Sequence, residues 1–110
     1  MTVEQLKALG CNTSEGLQRC MNNESFYLML VNKFIATTDL SKLEDALNNG
    51  DLDTAFKEAH SLKGVCGNLS LTPMFNVLVE MVEPLRAKVV MDYSPLFNEF
   101  KRLFSELKSL

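Results

Sequence analysis

Apolar residues recur along most of the chain at the three-to-four-residue spacing of an amphipathic helix, and no stretch reads as a clear alternating strand. Lys88 to Tyr93 alone is ambiguous. Val3 to Leu9 predicts a short helix ended by Gly10, and Thr13 or Ser14 predicts the start of a second short piece reaching Cys20. Asn23 then opens a longer helix carrying Phe26, Leu30, Phe34 and Ile35. Thr37, Thr38 and Asp39 weaken the pattern before Leu43, Ala46 and Leu47 resume it, so this stretch is either one bent helix or two. Asn49-Gly50 is a stop signal, and Asp51 is an N-cap for the helix that follows, through Leu69. Thr72-Pro73 and Ser94-Pro95 are two further start signals, with proline placed at the first helical position. Pro84 falls inside the Met74–Leu85 stripe and should kink or shorten that helix. The last helix carries Leu96, Phe100, Leu103, Phe104 and Leu107. Short connections make neighbouring helices antiparallel. The expected fold is all-α, an antiparallel four-helix bundle over residues 23–110 with short additional N-terminal helices in residues 1–22.

Composition narrows the function. The chain has 110 residues, room for one domain, and is 46% hydrophobic and 23% charged with a net charge of -3. No basic stripe exists to neutralise a nucleic-acid backbone, so no nucleic-acid partner is expected. Lys101, Arg102 and Lys108 share a helix with Glu99 and Glu106 and read as a solvated face. Three cysteines, Cys11, Cys20 and Cys66, form no CxxC pair and argue against a disulfide framework or a zinc site. The longest mostly apolar run, Phe26 to Val31, is too short to span a bilayer, and Met1 to Gly10 lacks the pattern of a signal peptide. These readings give a cytoplasmic expectation with no membrane role. No P-loop and no glycine-rich nucleotide motif is present.

The helix after Asp51 breaks its own rules. Placed on a wheel with Ala59 at zero, Leu52, Ala55, Phe56, Leu62, Cys66 and Leu69 fall within roughly 80° on either side and face the core. His60, the only histidine, lies at about 100°, on the flank and in contact with water. Gly64 and Gly67 fall within about 40° of it. A helix-interior glycine costs roughly 1 kcal/mol relative to alanine. Two readings of the glycines stand: clearance for another protein's backbone beside the imidazole, or a helix C-terminus at Gly67-Asn68. Lys63 lies one turn from His60, with Lys57 on its other side, and either ammonium could support a phosphoryl group on the ring or simply solubilise the helix. No acid is placed by sequence to orient His60, and a lone histidine with these neighbours makes no metal site.

Ala59-His60-Ser61-Leu62-Lys63-Gly64 resembles the A-H-x-L-K-G signature of histidine-containing phosphotransfer (HPt) domains. Gly67 stands at a position usually small in that family, and Asn68-Leu69 resembles the pair that often follows. Upstream, Leu43, Ala46, Leu47, Gly50 and Asp51 resemble the family's approach to the signature, and Phe26, Leu30 and Phe34 its first bundle helix. The similarity runs from about Gly16 to Arg86. Ser70 departs from the pattern, standing where many members have glycine, and Pro84 interrupts a helix members often leave whole.

The resemblance implies a phosphorelay carrier. His60 would take a phosphoryl group from a receiver-domain aspartate and pass it to another, with Lys63 as electrostatic support and Gly64 and Gly67 giving partner access. A neutral imidazole is a competent nucleophile near pH 7 without an adjacent base. Magnesium would sit on the partner receiver, so the bundle has no cofactor of its own. The implied partners are response-regulator receiver domains and a hybrid or other histidine kinase. Docking candidates are Phe56 and Lys57 beside His60, and Leu6, Leu9 and Leu17 in the N-terminal segment, leucines that could equally cap the bundle end. A free-standing, monomeric protein without autonomous kinase activity is expected. The alternatives are a docking bundle that binds receiver or kinase domains without accepting phosphate, and a general helical adaptor in which His60 is incidental.

Overall fold

The computed structural model describes residues 1–110 and contains seven helices and no strand. They are α1 (Val3–Leu9), α2 (Thr13–Arg19), α3 (Glu24–Thr37), α4 (Ser41–Asn48), α5 (Leu52–Asn68), α6 (Thr72–Arg86) and α7 (Ser94–Lys108). The break at Thr38 to Leu40 therefore makes two helices of the third stretch, and Lys88 to Tyr93 is a connecting loop. Helix α5 packs most extensively on α6; α4 also rests on α5, and α7 on α6 and α3. The α5–α6 pair runs antiparallel, because Gly67 faces Phe75 while Phe56 meets Arg86 and Asp53 reaches Lys88.

Local chemistry explains most boundaries. Thr2 and Gln5 form a reciprocal capping box on α1. Asn23 and Asp51 cap α3 and α5 through their side-chain oxygens. Helix α2 is capped by Asn12, not by Thr13 or Ser14; Thr13 is already helical and buried. Asp39 and Asp92 accept from the backbone N–H groups of Ser41 and Ser94, which begin α4 and α7. Each of these two carboxyls, like that of Asp51, is held below the ordinary carboxylate value by its hydrogen bonds. Helix α6 runs through Pro84 and stops at Arg86, within one turn of it, where a missing N–H removes only a terminal bond.

One cluster of 24 buried apolar residues extends from Leu6 to Leu107 and draws on every helix except α2, whose half-buried Leu17 packs against it. On α5 the deepest positions are Ala55, Ala59 and Cys66; Leu52, Phe56 and Leu62 are only half-buried. The stripe on this helix is thus narrower than its sequence implies, since the small residues sit where neighbouring helices press closest.

Candidate functional site

The histidine helix is anchored at both ends. At its start the Asp51 carboxylate accepts from the Thr54 N–H at 3.1 Å. At its end the Leu71 N–H donates to the Cys66 carbonyl and the Ser70 N–H to the Gly67 carbonyl, the two bonds of a Schellman turn. Ser70 occupies the left-handed position at φ 54, so the sequence departure noted above leaves the turn intact. Arg19 of α2 donates to the Gly67 carbonyl at 2.9 Å, the Asn68 carbonyl at 3.3 Å and the Ser70 hydroxyl at 2.8 Å. The buried Tyr27 hydroxyl donates to the Leu69 carbonyl at 2.8 Å. These carbonyls are ones the helix itself leaves unpaired. Gly16 makes the arrangement possible: a Cβ there would lie 2.6 Å from the Tyr27 ring.

His60 stands exposed on the flank of α5. Its contact within the chain is the Phe56 ring, with centroids 5.4 Å apart and planes inclined by 38°; no chain group hydrogen-bonds the imidazole. On Phe56 rests the Arg86 guanidinium, 5.5 Å from the ring centroid. Lys57 is exposed and Lys63 half-buried. Neither has a carboxylate partner, because the nearby acids are engaged elsewhere: Asp53 with Lys88 at 3.5 Å, and Glu58 with Lys42 at 3.4 Å. None of the surface clefts is lined by His60; the largest nearby, about 550 Å³ between α3 and α5, runs along Ser61, Leu62 and Val65 on another side of the helix. No helix is long and apolar enough to cross a membrane.

Both glycines lie within α5: Gly64 is interior, while Gly67 sits in the last turn before the end at Asn68, where the Gly67-Asn68 stop reading places it. They play different parts. A Cβ at Gly64 would meet nothing within 4 Å, so the fold has no use for a glycine there. A Cβ at Gly67 would lie 3.3 Å from Phe75. Gly67 thus lets the Phe75 ring of α6 pack close against α5, whereas nothing of its own chain presses on Gly64. Leu6 corrects the docking expectation. It is fully buried in the core cluster and offers no docking surface. Leu9 and Leu17 are half-buried against the core. Phe56 is half-buried between His60 and Arg86. Sequence reasoning missed Arg19, Tyr27 and Arg86, whose partners lie on other helices.

The family model for the Hpt domain matches residues 34–110. The chain belongs to the Hpt domain family. Hpt domains act in phosphotransfer in two-component signalling, working with receiver domains and kinases. No curated relative and no solved structure matches the chain. The matched segment contains all of α4 to α7, with His60 on α5, and leaves α1 and α2 outside it.

Proposed function

We propose that the protein is a phosphoryl carrier in a multistep phosphorelay, with His60 as the phosphoacceptor between receiver-domain aspartates. The observation that carries this reading is an exposed imidazole with an open Cα face, Gly64, one helical turn away. A lone-pair nitrogen of His60 forms a bond to the phosphorus of the receiver's aspartyl phosphate. The bond from phosphorus to the carboxyl oxygen breaks, and the carboxylate leaves with its electron pair. The proton on the other ring nitrogen stays where it is, so no base is needed at this step. The reverse sequence delivers the group to a second receiver.

Such a transfer requires in-line positioning and charge neutralisation more than covalent help. The receiver contributes the magnesium. The bundle contributes a rigid helix, the unpaired ammonium groups of Lys63 and Lys57, and open space. Lys63 is the nearer fit to electrostatic support, being half-buried and less hydrated than Lys57. A cytoplasmic, monomeric carrier accords with this role.

Incubation with a phosphorylated receiver should yield a phosphoprotein that is labile in acid and stable in base. His60→Gln should take up nothing while melting at nearly the wild-type temperature, since surface substitutions change stability little. Receiver binding without any transfer to the wild-type protein would overturn the carrier reading in favour of a docking bundle.

A further inference from the structure

We propose that Phe56 is a positioning residue for the His60 ring, held in its own place by Arg86. This rests on the reading of His60 as phosphoacceptor. An exposed histidine is free to exchange rotamers unless something fixes it, and here no hydrogen bond does so. Phosphoryl transfer needs one ring nitrogen aimed along a defined line, so an unrestrained imidazole loses rate in every misdirected rotamer.

The Phe56 ring supplies the restraint. It lies four residues before His60, on the same face of α5. Its centroid separation of 5.4 Å is in the range of attractive aromatic pairs. Phe56 is in turn pinned from the next helix: the Arg86 guanidinium lies 5.5 Å from its centroid, within cation–π reach, and also pairs with Glu83 at 3.8 Å. Arg86, Phe56 and His60 thus form a column that carries the rigidity of the α5–α6 contact to an otherwise free imidazole. Phe56 is engaged on both sides, which suits support better than docking.

The test uses Phe56→Leu, Phe56→Tyr and Arg86→Gln in the full chain. Proton NMR of the unphosphorylated protein should show the His60 ring signals displaced by the Phe56 ring current. They should move to free-histidine positions in Phe56→Leu and stay displaced in Phe56→Tyr. Single-turnover transfer from a phosphorylated receiver at saturation should slow by about 3- to 10-fold in Phe56→Leu, the range set by the strength of an aromatic pair. Receiver affinity should be near wild type, and Phe56→Tyr should restore the rate. Arg86→Gln should produce a smaller displacement and a smaller rate loss in the same direction. Unmoved His60 signals or an unchanged saturating rate in Phe56→Leu would overturn the proposal, as would a loss confined to receiver affinity. A wild-type protein that accepts no phosphoryl group overturns the carrier reading instead, and the ring signals then decide by themselves whether Phe56 fixes the imidazole.

Discussion

Replacing Gly64 by alanine separates what the fold needs from what a partner needs. Alanine is favoured over glycine inside a helix by roughly 1 kcal/mol, because glycine loses more backbone freedom on folding. The Cβ added at Gly64 meets nothing within 4 Å, so no packing term opposes that gain. Gly64→Ala should therefore stabilise the protein by roughly 1 kcal/mol and raise its melting temperature by roughly 4 °C. It should also slow phosphoryl transfer, because the new methyl group stands one turn from His60 where an incoming receiver approaches. A displacement of about 1 Å in a reacting complex can cost roughly a hundredfold in rate, and a tenfold loss is the least expected. Thermal melts by circular dichroism and transfer kinetics over a range of phospho-receiver concentrations read the two effects separately. The other helical glycines are controls. At Gly67 the 3.3 Å approach to Phe75 should cancel most of the helical gain. At Gly16 the 2.6 Å overlap with Tyr27 should make alanine destabilising by roughly 1–3 kcal/mol. A stabilised Gly64→Ala that transfers at the wild-type rate would refute the clearance argument; a destabilised one would refute the open-space argument.

Tyr27→Phe leaves the Leu69 carbonyl without its donor at the end of α5 and should destabilise by about 1–3 kcal/mol in urea unfolding. Burial pushes the thiols of Cys11 and Cys66 up to about 11 and about 12. Their folded values exceed the unfolded ones, so the stability they contribute is complete below the unfolded value and is lost as pH rises through that interval; alkaline melts should show it. All three cysteines should resist a thiol reagent in the native protein and react fully in denaturant, as burial blocks access. Asp39, Asp51 and Asp92 have depressed folded values, so their contribution is present above the ordinary carboxylate value and vanishes as pH falls through the lowered ones. Acid unfolding of the triple asparagine variant should consequently be less steep than that of the wild type.

Much of the helical framework is written in short-range signals. Asn23 and Asp51 announce α3 and α5, Gly10 and Gly50 end α1 and α4, and the two Ser/Thr-Pro pairs begin α6 and α7. Other ends are silent. Met21, Ser70 and Lys88 adopt positive φ, between 54 and 57, with side chains that do not advertise the left-handed region. Leu6 misleads because a seven-residue helix has too few positions to define its buried face. At the site, the exposure of His60 follows from the wheel, because the helical period extends over a helix of 17 residues. Gly64 and Gly67 look alike in sequence and differ through contacts from other elements, above all Phe75 of α6 and Arg19 of α2. The same holds for Arg19 and Arg86: their contacts cross from one helix to another, and no local pattern encodes such a meeting.

The central claim is that His60 itself carries the phosphoryl group. Intact-mass analysis after exposure to a phosphorylated receiver, followed by peptide mapping at alkaline pH, tests it most directly. The account predicts a mass gain of one phosphoryl group, located on the peptide containing Ala59 to Lys63 and absent from His60→Gln. A gain on any other residue, or an equal gain in His60→Gln, would contradict it.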